Sequence, residues 1–165
     1  MNNIRLYDVS DADAHFLTYI MNNDAILTAL NEIPTQMEDW EDAIKAWKND
    51  DDEEDYIISD CDKPIGWLGI NGLESDDKVA YLKLVALLTD YQNKGIGRYA
   101  ISEIVKMLRL RKYSKVALYT DLENHRARAC YEKCGFEVTE AFNEEMANGK
   151  TIARCKMELK LDLSI

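Results

Sequence analysis

A glycine-rich turn at residues 91–98, Tyr-Gln-Asn-Lys-Gly-Ile-Gly-Arg, places the strongest constraint on how this chain can fold. It follows an apolar run at residues 81–88 and opens a segment whose apolar residues recur at helical spacing. A strand that turns through glycines into a helix leaves backbone N–H groups without intrahelical partners, and the helix dipole adds partial positive charge there. The sequence therefore predicts an anion site, most simply for phosphate, to which Lys94 and Arg98 add charge.

Two common phosphate-binding turns can be tested against this segment. The nucleotide-triphosphatase turn requires Gly-Lys-Ser/Thr, which the segment lacks. Gly95-x-Gly97-x-x-Ala100 nominally fits the dinucleotide fingerprint Gly-x-Gly-x-x-Gly/Ala. In that fold the strand usually leads almost directly into the first glycine, whereas here the polar segment 89–94 intervenes. The residues on either side of the turn are therefore needed to tell which kind of phosphate-containing ligand it binds.

Two motifs together resemble the GNAT superfamily of N-acetyltransferases. Gln-x-x-Gly-x-Gly at residues 92–97 is similar to the acyl-coenzyme A loop of that family. About thirty residues downstream, Asn-x-x-Ala-x-x-x-Tyr-x-x-x-Gly-Phe at residues 124–136 is similar to its second coenzyme A segment. The close resemblance covers residues 64–142, and the first sixty residues fit only in their layout.

The resemblance implies acetyl-coenzyme A as co-substrate, with no metal. Leu87 would present its backbone to the pantetheine arm and its N–H to the thioester carbonyl, as an oxyanion donor. Asn124, a good N-cap for the helix that follows, would also reach the pantetheine arm. The residues that would hold the pyrophosphate, mostly through backbone N–H groups, are Gln92, Asn93, Lys94, Gly95, Ile96, Gly97 and Arg98.

Tyr131 carries the general-acid role that the resemblance implies. Helical spacing alone predicts only that Tyr131 faces inward. In the family a tyrosine at this position points its hydroxyl at the coenzyme sulfur and protonates the leaving thiolate. The amine would attack the thioester directly in a ternary complex, without an acyl-enzyme.

The general base is not identified by the sequence. The positions at which relatives carry an acid fall on Tyr81, Leu82 and the neighbourhood of Tyr119, and none of these is an acid. The alternatives left open are a water chain to solvent or one of four carboxylates: Glu32, Glu74, Asp121 and Glu123.

Charge is distributed unevenly along the chain. Residues 1–90 hold 21 of the 31 Asp and Glu residues but only 6 of the 20 Lys and Arg residues. The basic half contains the proposed phosphate site, which suggests that the acidic half receives a cationic acceptor, a small-molecule or peptide amine, unless the asymmetry only reflects solvated surfaces. The acceptor would lie between residues 22–35 and 143–150. Nucleic acid is disfavoured by the net charge of −11, and a homodimer is left open.

Length and composition predict one globular domain, residues 1–165. No apolar run is long enough to span a membrane and no apolar leader is visible, so a cytoplasmic protein is expected. Cys130 and Cys134 lie four residues apart, but further ligands at metal-site spacing are missing. Reduced, largely buried thiols are therefore expected for all four cysteines, Cys61, Cys130, Cys134 and Cys155.

The periodicity predicts an α/β (α+β) fold with a mixed, mostly antiparallel, seven-stranded sheet and about four helices. Strands four and five are joined by a helical crossover and are therefore expected to be parallel, and the resemblance implies that they splay around the cofactor. Thr35-x-x-Glu38 reads as a capping box for a helix whose tryptophans face the core. The acidic run at residues 50–55 reads as a solvated loop.

Two other functions remain open at this point. One is a nicotinamide-dependent oxidoreductase with Asp121 as the ribose-binding acid, for which the chain has too few βαβ units. The other is a non-catalytic acyl-coenzyme A-binding module on the same fold. The missing base favours such a module, and Tyr131 disfavours it.

Overall fold

The computed structural model describes residues 1–162, so the last three residues of the predicted domain, 163–165, lie outside the described part. The described chain forms seven strands and five α-helices, with two short 3-10 turns at Asp11–Asp13 and Thr89–Tyr91. In chain order the elements are β1 Ile4–Asp8, α1 Ala14–Ile20, α2 Asp24–Leu30, α3 Met37–Lys48, β2 Glu54–Asp60, β3 Lys63–Asn71, β4 Val79–Leu87, α4 Ile96–Leu110, β5 Lys115–Asp121, α5 His125–Lys133, β6 Glu137–Glu145 and β7 Thr151–Lys160.

All strands join one sheet in the order β1-β2-β3-β4-β5-β7-β6. Every neighbouring pair is antiparallel except β4 and β5, which are parallel. The predicted mixed sheet with a parallel fourth and fifth strand is therefore confirmed, with five α-helices where about four were expected. This single parallel pair differs from the parallel sheet of dinucleotide-binding folds.

The parallel pair is short, and this opens the sheet. β4 and β5 are paired only from Val79 opposite Lys115 to Tyr81 opposite Ala117. Beyond that point the rest of β4 has no partner on the β5 side among residues 1–162, while β5 continues to pair with β7 through Asp121. The two strands therefore diverge, and a cleft forms between their carboxyl ends.

Hydrophobic cores on the two faces of the sheet hold the strands in place. On one face, α4 buries residues such as Ile101 and Leu108 in a cluster with Phe136. On the other face, α1 and α3 bury Leu17 and Ile44 in a second cluster with Trp67. Burying one such side chain contributes roughly 1.5–3 kcal/mol to the stability of the folded state. The packing on both faces of the sheet therefore holds in place the strands that border the cleft.

A β-bulge in β4 changes which side chains face each core. Gly69 pairs with Leu84 and Ile70 pairs with Leu82, which leaves Lys83 as an extra residue without a partner in β3. Because of the bulge, Lys83 lies over the rings of Trp47 and Trp67 on the same face as Leu84, rather than alternating to the other face.

Helix starts in the first sixty residues differ from the sequence prediction. The predicted capping box at Thr35 and Glu38 is wrong by one residue, since Gln36 N donates to Asp39 Oδ2 at 2.7 Å. Thr35 instead accepts a hydrogen bond from Trp40 Nε1 at 2.8 Å, so its hydroxyl is already occupied. Residues 22–34, for which the sequence predicts no clear element, contain α2, whose first turn is capped by Asn23.

The acidic run is only in part the solvated loop that was predicted, since Asp50 and Asp51 are exposed outside the strands whereas the end of the run enters the sheet. β2 begins inside the run, at Glu54. Asp52 accepts hydrogen bonds from Gly72 N and Glu74 N at 3.2 and 2.8 Å, which ties the start of β2 to the end of β3. Asp55 is only 7% exposed. Partners distant in sequence therefore determine where these acids lie.

Candidate active site

A cleft of about 990 Å³ occupies the opening between β4 and β5. It runs through the sheet, from the start of α4 on one side to α2 and α3 on the other. Of the ten predicted cofactor residues, nine line it: Leu87, Gln92, Asn93, Gly95, Ile96, Gly97, Arg98, Asn124 and Tyr131. The exception is Lys94, whose ammonium lies 5.9 Å from the ring of Tyr91.

The glycine turn leaves a row of free backbone donors at the start of α4. Gly95 has a φ of +80°, a conformation that glycine adopts without strain, and it begins the helix. Tyr99 N is the first amide that bonds back into the helix, to Gly95 O at 3.0 Å. The preceding N–H groups of Ile96, Gly97 and Arg98 therefore have no intrahelical acceptor and lie at the positive end of the helix dipole.

The side chain of Gln92 connects this turn to β4 and to α5. Its Nε2 donates to Leu87 O at 2.9 Å, and its Oε1 accepts from Arg126 Nη2 at 2.6 Å. Arg126 also lines the cleft, and the sequence analysis did not single it out. A spacing of two residues from Asn124 does not put the two side chains on one helix face, so no pattern in the sequence pointed to Arg126. Gln92 thus positions the turn through its side chain as well as through its backbone.

The end of β4 presents unpaired backbone N–H groups to the cleft. Leu88 N donates to Ile65 O at 2.9 Å, on the β3 side. Successive N–H groups point to opposite edges of a strand, so the N–H of Leu87 points away from β3. The register that pairs Leu87 with Gly66 and Val85 with Leu68 gives the N–H of Val85 the same direction. Both residues line the cleft, and Val85 was missed by the sequence analysis.

Tyr131 lies on α5 and lines the same cleft. Burial raises the pKa of Tyr131 to about 12, with the neighbouring Cys130 and Cys134 adding to the effect and Arg154 opposing it. Its hydroxyl therefore keeps its proton throughout the physiological range. The ring packs edge-to-face against Phe136 at 6.2 Å, which fixes its orientation.

The predicted N-cap is confirmed at the start of the same helix. Asn124 Oδ1 accepts a hydrogen bond from Ala127 N at 3.1 Å, and Asn124 lines the cleft. At the other end, Gly135 follows the helix with a φ of +100°, as the Gly-Phe ending of the motif predicted.

The structure separates the four candidate bases. Glu32 and Asp121 line the cleft, whereas Glu74 and Glu123 do not. Asp121 is already engaged, by Arg154 Nη1 at 2.7 Å and by the side-chain amide of Asn31 at 2.9 Å. Glu32 is an exposed residue of the lining, and partial desolvation there raises its pKa above the ordinary value. Glu32 therefore has the properties of a proton acceptor, a carboxylate in the cleft that holds a proton more tightly than usual.

The far end of the cleft is bounded by both segments predicted to enclose the acceptor. Leu30 and Ile33 come from the first segment, and Met146 comes from the β6–β7 turn. Trp40 and Trp47 line this end as well, so the α3 tryptophans do not only face a core. The acidic excess of residues 1–90 is not concentrated here, because Glu32 is the one acid from that half among the lining residues described.

A buried ionic cluster lies next to Trp67, at the far end of the cleft. Asp55 Oδ1 accepts from Trp67 Nε1 at 2.9 Å and lies 3.4 Å from Lys83 Nζ, which also bonds Glu53 Oε2 at 2.5 Å. Asp55 Oδ2 is buried without a hydrogen-bond partner among the described residues. Desolvation and the neighbouring Glu53 carboxylate raise the pKa of Asp55 to about 8, with Lys83 opposing.

The cysteines are less uniformly buried than expected. All four are free, and only Cys155 is buried, while Cys61 is exposed and the other two are intermediate. Within residues 1–162 no cluster of three His, Cys, Asp or Glu side chains is arranged to hold a metal ion. None of the helices described is both long enough and apolar enough to cross a membrane.

Comparison with known proteins identifies the family of this cleft. Residues 22–136 match the acetyltransferase (GNAT) family. The chain belongs to the GNAT acetyltransferase family. The match spans well over half of the chain and includes both the glycine turn and the segment with Tyr131. No curated protein matches the sequence.

Solved structures share the fold over nearly the whole chain. The spermidine N-acetyltransferase of Vibrio cholerae, in complex with CoA and spermine, is 22% identical, with a TM-score of 0.88 over 97% of this chain and 96% of that one. A dodecameric structure of that enzyme in an intermediate state is 21% identical, with a TM-score of 0.82 over 97% and 95%. An acetyltransferase from Thermus thermophilus is 18% identical, with a TM-score of 0.76 over 95% and 97%.

The family match and the shared fold confirm the predicted superfamily, the fold class and the acetyltransferase enzyme class. Acetyl-coenzyme A as the acetyl donor, which the GNAT resemblance implied, follows from the family match. The roles of individual residues stay predictions, and the identities of the structural neighbours are too low to transfer an acceptor.

Asp55→Asn should flatten the pH dependence of stability. Because the folded state holds the Asp55 proton up to about pH 8 while the unfolded state releases it near 3.8, wild-type stability should fall as pH rises through this interval. Asparagine does not titrate, so the variant should lose this slope. Urea midpoints measured at several pH values, with the exposed Asp76→Asn as control, test this. A stability difference between wild type and Asp55→Asn that is constant with pH would contradict the assignment.

Proposed function

We propose that this chain is an acetyl-coenzyme A-dependent N-acetyltransferase that moves the acetyl group to a primary amine by direct attack in a ternary complex. One observation carries the proposal: free N–H groups from α4 and from β4 meet Tyr131 in a single cleft between the diverging strands. Phosphate binding, thioester polarisation and proton donation each have a group there.

The start of α4 would bind the pyrophosphate. The N–H groups of residues 95–98 supply unpaired donors, and Arg98 and Arg126 supply charge at the same end of the cleft. Lys94 is outside the cleft lining, so its contribution is reduced to long-range attraction.

The open edge of β4 would receive the pantetheine arm and the thioester. An extended pantetheine amide can pair with one of the N–H groups of Val85 and Leu87, as another strand would. The other N–H then donates to the thioester carbonyl and stabilises the oxyanion that forms on attack. Asn124, at the start of α5, lies on the opposite side of the same opening.

Glu32 would accept the proton of the incoming ammonium. The neutral amine then attacks the thioester carbon, forming the C–N bond and a tetrahedral oxyanion. Collapse of the oxyanion breaks the C–S bond, and the Tyr131 hydroxyl gives its proton to the departing thiolate. The nitrogen releases its second proton to solvent as the neutral amide forms, and a proton from solvent restores the Tyr131 phenol. Because the pKa of Tyr131 is raised to about 12, the phenol stays protonated between turnovers.

The acceptor class follows from the charge at the cleft. A primary alkylamine is a cation at neutral pH, and Glu32 offers it a carboxylate. The structural neighbours include an enzyme named for spermidine acetylation, so polyamines belong in the first acceptor panel. The likeness to that enzyme supports the fold and leaves the acceptor to experiment.

Gly97→Asp should abolish coenzyme A binding without unfolding the protein. A Cβ at position 97 would meet only Leu87 Cδ1, at an ordinary 3.7 Å, and an acid in the first turn suits the helix dipole. The carboxylate would, however, repel the pyrophosphate. Calorimetry should show affinity lost in Gly97→Asp and largely kept in the matched control Gly97→Ala. Equal affinity in the two variants would show that the phosphates lie elsewhere.

Tyr131→Phe should lower kcat roughly 10²–10⁴-fold, the usual contribution of a positioned acid. Affinity for coenzyme A should stay the same, because only the hydroxyl is removed and the ring contact with Phe136 remains. Single-turnover kinetics give the chemical step directly. An unchanged single-turnover rate would reduce Tyr131 to a packing residue.

Glu32→Gln should lower kcat/KM and remove the rise of kcat/KM with pH that comes from deprotonation of Glu32. In the wild type, kcat/KM should rise with pH as Glu32 loses its proton, at a pKa above the ordinary range of a glutamate. Glu38→Gln, an exposed acid of α3 outside the cleft lining, serves as control. If both variants keep the wild-type profile, the proton leaves through water and Glu32 is not the base.

A further inference from the structure

The three tryptophans of the chain come together at one wall of the cleft. The rings of Trp40 and Trp67 meet edge-to-face at 5.2 Å, and those of Trp47 and Trp67 lie 5.6 Å apart. All three line the far end of the cleft, and Trp40 and Trp47 are only partly buried. Part of this aromatic surface is therefore open to a bound molecule.

A lysine of the chain already occupies the cation-binding faces of two of these rings. Lys83 Nζ lies 4.8 Å from the ring centre of Trp47 and 5.2 Å from that of Trp67. The β4 bulge turns Lys83 to this face, and Gly69 leaves room for it, because a Cβ there would lie 2.9 Å from Lys83 Cε. Backbone and side chains together hold this ammonium in place.

The acids near the wall are not available to the acceptor. Glu53 and Asp55 both pair with Lys83, and neither lines the cleft. A second ammonium group on the acceptor would therefore meet Lys83, whose ammonium is already paired with Glu53, and would find no free carboxylate at this wall. Such a contact disfavours diamines and polyamines at this wall.

The side chains around the tryptophan wall are apolar. Met21, Leu30 and Ile33 line the same end of the cleft. Ile33, in the short connection between α2 and α3, is 51% exposed. An apolar group entering here would cover surface that water now touches.

We propose that the wall formed by Trp40, Trp47, Trp67 and Lys83 is the subsite for an aromatic ring on the acceptor, so that the preferred acceptor is an arylalkylamine with a single ammonium group. This rests on the proposed function. Glu32 receives the reacting ammonium, and the ring packs against the indoles and Ile33. The wall offers no free carboxylate to a second positive charge, because Glu53 and Asp55 are both engaged by Lys83.

Intrinsic fluorescence tests the subsite independently of catalysis. The chain contains three tryptophans, and all of them belong to this wall, so the emission reports on it alone. Titration of the coenzyme A complex with phenethylamine should give a saturable change in tryptophan emission. Butylamine, which lacks the ring, should give a much weaker one. No response to phenethylamine overturns the subsite, whatever the protein acetylates.

Kinetics test the selection against charge. Butylamine and putrescine have the same carbon chain and differ by the second ammonium. In the wild type, kcat/KM should be about tenfold or more lower for putrescine, because its second ammonium would lose water without gaining a free carboxylate partner. Lys83→Met should bring the kcat/KM values for butylamine and putrescine closer together. Lys48 is a surface lysine of α3 paired with Asp11, and Lys48→Met should leave the ratio of the two values unchanged.

A second pair of variants keeps the test valid if Lys83→Met folds poorly. Ile33→Ser changes an exposed side chain and should lower kcat/KM for phenethylamine relative to butylamine. Leu110→Ser, at an 81% exposed leucine outside the cleft, is the matched control. Equal effects of the two serine variants, or a wild-type preference for putrescine or spermidine over phenethylamine, overturn the inference.

The outcomes separate this inference from the proposed function. Acetylation of amines without preference for the ring defeats the subsite and leaves the transferase intact. A saturable fluorescence response without acetyl transfer to any amine supports the subsite and defeats the proposed reaction.

Discussion

The active cleft depends on one structural event, the end of hydrogen bonding between β4 and β5 after Tyr81 and Ala117. The β4 bulge at Lys83 follows two residues later, and a bulge bends and twists the strand that carries it. Because β5 then pairs only with β7, the remaining N–H groups on that side of β4 have no partner. The same divergence brings the start of α4 and the start of α5 to the edges of one opening, where donors for phosphate and thioester can act together.

The parts of the site that could be predicted from the sequence are those in which local chemistry decides the structure. Gly95 needs a positive φ, Asn124 caps a helix through its own side chain, and Gly135 ends it. Each is encoded within a few residues, so the motifs at residues 92–97 and 124–136 could be placed before any tertiary contact was known. The parallel fourth and fifth strands followed from the intervening helix.

The parts that could not be predicted depend on partners distant in sequence. The run at residues 50–55 is typical of a solvated loop, yet Asp55 is buried because Trp67 and Lys83 bond it across the sheet and Gly69 makes space for the pair. Helical spacing could place the α3 tryptophans on one face, but not show that this face borders the cleft. The choice among the four candidate bases required knowing that Asp121 is held by Arg154.

Amide hydrogen exchange at the end of β4, with and without coenzyme A, tests the central claim most directly. The N–H groups of Val85 and Leu87 point into the opening, whereas that of Leu88 is already bonded to Ile65 O. Cofactor binding along this edge should slow exchange at Val85 or Leu87 and leave Leu88 nearly unchanged, a pattern that general stabilisation would not produce. Coenzyme A that binds tightly without slowing exchange at either Val85 or Leu87 would contradict the account.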